Sequence, residues 1–145
     1  MRAVVQRVAS ASVDVEGNVV GSIGPGLCVL VGVAHGDGET AADKLASKLW
    51  NLRIFEDEQG LMNRSASELG LPLLVVSQFT LYADTSKGRR PSFVAAAPPP
   101  EAEPLVSRVV ESLRSLGAEV ATGRFGADMA LSLINDGPVT VIVDA

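Results

Sequence analysis

Ser77-Gln78-Phe79-Thr80 puts two hydroxyls, a carboxamide and a run of backbone N–H groups within four residues, at the end of the apolar segment Leu73 to Ser77. Main-chain donors at such a strand end can converge on one point. A donor aimed at the charge developing on an acyl oxygen lowers the barrier by about 3 kcal/mol. Far downstream, Asn135-Asp136-Gly137-Pro138-Val139-Thr140 carries the second suggestive unit. A peptide bond before proline turns cis at a cost of only about 0.5 to 1 kcal/mol, and a cis bond would aim two successive carbonyls the same way. Glycine, with no Cβ, lets other atoms come up against that backbone. Gly137-Pro138 is thus either a rigid polar wall or a tight turn, and Ser77 to Thr80 is either an oxyanion site or a strand that has run out of core.

Other chemistries lack their parts. The single histidine, His35, lies beside Gly36 and Gly38, and no motif links it to Ser77 or Cys28, so a Ser-His-Asp or Cys-His arrangement has no support. One Cys and one His make no ligand cluster for zinc or a similar metal. Neither a metal nor a cofactor is expected. Gly21-Ser22-Ile23-Gly24 lacks the spacing and the following helix of a dinucleotide fingerprint. Cys28, inside Leu27-Cys28-Val29-Leu30-Val31, reads as a small hydrophobe in a buried strand. A net charge of −5 argues against a general nucleic-acid binder, which needs many Lys and Arg contacts to phosphate. Lys87-Gly88-Arg89-Arg90 and Arg124 remain as a local basic patch, sufficient for a few phosphates at an RNA end.

The elements that must position these residues follow from periodicity. Ala3 to Val8 and Val13 to Glu16 alternate apolar with polar and are predicted strands with one buried face. Gly17-Asn18 turns into Val19 to Ile23, and Pro25-Gly26 turns into Leu27 to Val33, an apolar strand covered on both faces; the outline is an antiparallel meander. From Thr40 the period becomes helical, with Ala42, Leu45, Ala46, Leu49, Trp50 and Leu52 on one face and Thr40 with Asp43 as the cap. A strand near Phe93 to Ala96 is stopped by Pro98-Pro99-Pro100, which opens a second helix bearing Leu105, Val106, Val109, Val110 and Leu113 and ending at Gly117. Ala118 to Thr122, Ser132 to Ile134 and Val139 to Val143 are further strands. The expectation is one α/β domain spanning residues 1–145, a mainly antiparallel, barrel-like sheet with two principal helices. The chain has no run long enough to span a bilayer and no signal-peptide pattern, so a cytoplasmic protein is expected.

The chain resembles the D-aminoacyl-tRNA deacylase family from end to end. The likeness is carried by Met1-Arg2-Ala3-Val4-Val5-Gln6-Arg7-Val8, Ser77-Gln78-Phe79-Thr80-Leu81, Arg90-Pro91-Ser92-Phe93, Thr122-Gly123-Arg124-Phe125 and Asn135-Asp136-Gly137-Pro138-Val139-Thr140. The resemblance implies a homodimer that hydrolyses the ester between a D-amino acid and the terminal ribose of tRNA, with the aminoacyl-tRNA 3′ end as its partner. It implies a cis Gly137-Pro138 reaching into the partner subunit's pocket, where two carbonyls exclude the side chain of an L-amino acid and let glycine pass. Ser77, Gln78, Phe79 and Thr80 would form the catalytic floor, Arg7 would hold the inserted Gly-Pro segment, and Phe125 and Met129 would border the terminal adenine. Related domains that remove achiral or L-amino acids, and a module that only grips RNA ends, are the alternatives.

Overall fold

The structure is a computed structural model that describes residues 1–145. In chain order its elements are β1 (Arg2–Val15), β2 (Asn18–Ile23), β3 (Gly26–Gly32), α1 (Glu39–Asn51), β4 (Phe55–Glu56), β5 (Met62–Arg64), α2 (Ala66–Leu69), β6 (Leu73–Ser77), a 3-10 turn (Phe79–Tyr82), α3 (Pro99–Ser115), β7 (Val120–Thr122) and β8 (Ala130–Asp144).

β1 organises the sheet. Along one edge it pairs antiparallel with β3 over residues 2–8 and with β2 over residues 11–15; along the other it pairs antiparallel with β8. Three successive strands suggest a meander, but β2 and β3 instead lie end to end on the same edge of β1. The segments Ala3 to Val8 and Val13 to Val15 are parts of this one strand, and Glu16, at φ 52, is in the turn with Gly17 rather than extending the second as expected. Alternation breaks between them because Arg7 and Val8 are both buried, where the register against β8 slips. Ser132 to Ile134 and Val139 to Val143 likewise belong to the single strand β8.

β3, β6 and β7 pair parallel, giving the order β2-β1-β3-β6-β7 with β8 on the other edge of β1. Parallel neighbours need long crossovers. The first carries α1, the β4–β5 hairpin and α2; the second carries the 3-10 turn, the basic loop and α3. Gly21 lets β2 curl back onto β7, since a Cβ there would overlap the Thr122 carbonyl, and the sheet becomes a nearly closed barrel. Its interior packs Val8, Val13, Cys28, Leu74 and Val76, while α1 and α3 cover the larger core on the opposite face. No helix is long and apolar enough to cross a membrane.

Both principal helices bury the faces their periodicity marks out: Ala42, Leu45, Ala46, Leu49 and Trp50 in α1, and Leu105, Val109, Val110 and Leu113 in α3. The cap of α1 differs from expectation. Gly38 occupies it without a side-chain bond, and Asp43 points to α3, where it takes two hydrogen bonds from Arg108 (2.8 and 2.9 Å) and another from Ser112. These donors hold its carboxyl at about 2. Gly117, at φ 104, stops α3 as expected. The four-residue α2, capped by Ser65 and ended by Gly70, is an addition to the two helices read from sequence. Phe93 to Ala96 is a turn rather than a strand, joined to the rest by the isolated pairs Asp84 with Ser92 and Ala34 with Ala96.

Candidate active site

Ser77 is the last residue of β6, and immediately after it the chain leaves the sheet. Gln78 N–H donates to Val31 O at 2.7 Å, and the 3-10 turn Phe79–Tyr82 follows. Gly32 makes room for this turn against β3: a Cβ there would stand 3.1 Å from Gln78 O and from Leu81 Cβ. The first N–H groups of a helical turn have no acceptor within it. Those of Phe79 and Thr80 donate to no protein acceptor, so two adjacent main-chain donors are free at the strand end.

Beside them opens a cavity of about 680 Å3, walled by Ser77, Gln78, Phe79, Phe93, Phe125 and Met129 together with smaller apolar residues. Asp128 is its one charged wall residue; no imidazole, thiol or amine lines it. His35 is exposed on the loop after β3. Cys28 lies in the barrel interior, where burial pushes its thiol up to about 11 and keeps it protonated. Three residues of the Ser77 to Thr80 segment therefore line the cavity with Phe125 and Met129. Thr80 does not; its Oγ1 accepts a hydrogen bond from Gln78 Nε2.

Gly137-Pro138, whose peptide bond is cis, lies apart from this cavity wall. Between the pairs Gln6 with Thr140 and Val8 with Asn135, β1 has one residue, Arg7, and β8 has Asp136 to Val139, so these residues loop out opposite Arg7. Arg7 is buried and ties the excursion down: Nε donates to Asp136 O at 2.9 Å, Nη1 donates to Ile54 O at 2.8 Å, and Nε stands 3.3 Å from Asp136 Oδ2. Asn135 braces it from within, Nδ2 donating to Arg7 O (2.9 Å) and Val139 O (3.1 Å). Gly137 and Pro138 themselves are exposed. The structure thus brings Arg7 together with Gly137-Pro138 but keeps both away from the cavity of their own chain.

Phe93 and Asn135 stand within the motifs above, but their types and spacing assign neither a role. Phe93 packs edge-on against Phe79, the ring centroids 5.2 Å apart. Gly123 was also passed over: Met129 Sδ sits 2.6 Å from where its Cβ would be, so this glycine seats Met129 against the turn after β7. For Gly123, its place directly after β7 was the available signal.

Residues 4–144 match the family D-Tyr-tRNA(Tyr) deacylase. A D-aminoacyl-tRNA deacylase from Thermobifida fusca is 63% identical over 99% of each chain. Another from Heliobacterium modesticaldum is 61% identical, covering 99% of this chain and 96% of that one. Among solved structures, a c-Myc DNA unwinding element binding protein superposes with TM-score 0.95 at 40% identity, covering 100% of this chain and 99% of the other. A probable eukaryotic D-amino acid tRNA deacylase gives TM-score 0.85 at 19% identity over 99% and 98%, a likeness of fold. This chain therefore belongs to the D-Tyr-tRNA(Tyr) deacylase family, hydrolases that act on aminoacyl-tRNA.

Proposed function

We propose that this chain, acting as one domain, hydrolyses the ester that joins a D-amino acid to the terminal ribose of tRNA. The observation that carries the reading is the free N–H of Phe79, a residue of the cavity wall, with the free N–H of Thr80 next to it in the turn, at an apolar cavity that holds no nucleophile paired with a base. The aminoacyl carbonyl oxygen points at these donors. Water adds to the carbonyl carbon, the oxyanion is held by the main chain, and collapse expels the ribose oxygen, which leaves with a proton. The neighbouring 2′-hydroxyl of the substrate helps activate the water, so the tRNA supplies part of the catalyst. The products are the free D-amino acid and tRNA, formed where charged tRNA is used, in the cytoplasm.

Selection for D-substrates is assigned to Gly137-Pro138 of a second subunit. Its exposure and its separation from the cavity of its own chain support a two-fold dimer in which each excursion enters the other site. Backbone carbonyls there exclude the side chain of an L-amino acid, whereas glycyl-tRNA, with no side chain, is hydrolysed too. Comparison of D-tyrosyl-, L-tyrosyl- and glycyl-tRNA as substrates tests the reading directly. Rapid release of D-tyrosine and glycine with L-tyrosyl-tRNA spared is the expected result; equal rates for the D and L substrates would remove the gate.

Two further results are expected. Thr80→Ala keeps kcat within about tenfold of wild type, because its hydroxyl is engaged by Gln78 and stands off the cavity wall. A loss of about a thousandfold in a folded variant would make the hydroxyl a chemical participant. Mixing a subunit defective at Gly137 with one defective in the Phe79 turn restores activity, approaching about a quarter of wild type when random exchange gives half heterodimers with one intact site each. No recovery despite demonstrated exchange would place both segments in one chain's own site.

A further inference from the structure

Four cations sit on segments that lead into the cavity wall and have no role in the reading above. Lys87, Arg89 and Arg90 are exposed on the loop after the 3-10 turn, and Arg124 is exposed on the turn after β7. Arg2, Arg7, Arg64 and Arg108 form ion pairs and these four do not; Lys44, Lys48, Arg53 and Arg114 form none as well, so it is their gathering near one cavity that distinguishes the four. The chain carries 17 acidic side chains against 12 Lys and Arg, so acidic partners for them are not in short supply. Four cations gathered on two neighbouring segments of an acidic protein make a local positive field that suits an anion.

The topology brings the two groups to one end of the molecule. β6 and β7 are parallel neighbours, so the chain leaves both strands at the same end of the sheet. The basic loop is closed by Asp84 and Ser92, paired through backbone bonds of 2.7 and 2.9 Å, and returns through Phe93 on the cavity wall. Asp84 forms no ion pair with these cations; its Oδ1 accepts the Ser86 N–H. Arg124 is followed at once by Phe125, also on the wall.

We propose that Lys87, Arg89, Arg90 and Arg124 clamp the phosphodiesters of a single-stranded RNA 3′ end just before its terminal nucleotide. The clamp rests on the deacylase reading and names how that site takes its polymer substrate. Guanidinium groups suit it because their planar fork meets two phosphate oxygens at once. Four contacts to a single strand give a slope of log K against log salt of about −3, far below what a broad tRNA surface requires. The acidic remainder of the protein repels the rest of the tRNA and confines binding to the end.

The test compares wild type with the triple variant Arg89→Ala, Arg90→Ala, Arg124→Ala on three D-tyrosyl esters: adenosine, a short single strand ending in CCA, and tRNA. The expected result is a KM raised about tenfold or more on the strand and on tRNA, with D-tyrosyl-adenosine, which has no phosphate, turned over within about twofold of wild type. Binding of the uncharged strand, followed by fluorescence anisotropy across a salt series, should flatten in slope from about −3 to about −1. Loss on tRNA but not on the short strand overturns the clamp in favour of contacts to the stem. Equal loss on adenosine overturns it as a structural effect, and so does an unchanged salt slope. Wild type inactive on all three esters would defeat the deacylase reading alone, since the binding series still decides the clamp.

Discussion

Phe79→Pro should lower kcat on D-tyrosyl-tRNA by about 10² to 10³, while Phe79→Ala stays within about tenfold of wild type. The proline removes the residue-79 N–H, one of the two free donors, and the alanine keeps it. Both substitutions remove the ring that packs on Phe93, so their difference isolates the hydrogen bond donor. The backbone suits proline at this point: Gln78 is extended, with φ −149 and ψ 84, and residue 79 opens a helical turn, where the missing N–H breaks no internal bond. Single-turnover rates with a thermal melt for each variant decide the matter. Equal rates for the two variants would mean that the residue-79 N–H does not stabilise the oxyanion.

Gly137→Ala should reduce kcat/KM on D-tyrosyl-tRNA, or the ratio of D to L hydrolysis, by about 10², with the melting temperature changed by only a few degrees. Glycine is required here by space, since an added Cβ would overlap Asn135 Oδ1 and stand 2.8 Å from Val139 N. Asn135 cannot easily yield, because its Nδ2 is bonded to the carbonyls of both Arg7 and Val139. The methyl therefore moves the excursion of residues 136–139, and displacement of about 1 Å at a positioning group is worth about 10² in rate. Folding suffers less, as Gly137 and Pro138 are exposed and the cores lie elsewhere. Adding Asn135→Gly to Gly137→Ala removes one of the two obstructions and should recover part of the selectivity. A folded Gly137→Ala protein with wild-type D activity and D-to-L ratio would sink the assignment of this segment as the gate.

Local pattern fixed the helices well and the long-range pairing poorly. The stripe from Ala42 to Trp50 and that from Leu105 to Leu113 are buried as their spacing requires, because a helical face is a property of neighbours in sequence. β3 is buried on both sides, as its unbroken apolar run implies. The parallel pairing of β6 with β3 and β7 has no such signature, since it depends on which strand each crossover reaches. Bulges also hide strands: the excursion opposite Arg7 and the extra residue at Ala9 reset the alternation of β1, so one strand reads as two. At the site, the motifs marked Ser77, Gln78, Phe79, Phe125 and Met129, which share one cavity. They gave no warning that Thr80 turns off that wall or that Asn135 braces the Gly-Pro excursion, because both depend on side-chain direction.

The edge position of β8 has a consequence for solubility. This strand of 15 residues pairs with β1 alone, and Ile134 and Ile142 are exposed on it. A long apolar edge is a template for adding strand after strand until a fibre forms. Here the excursion of residues 136–139 interrupts the ladder midway, and Pro138 has no N–H to offer an incoming chain. An added strand cannot zip past the middle. The four residues assigned to substrate selection thus double as a guard against open-ended polymerisation.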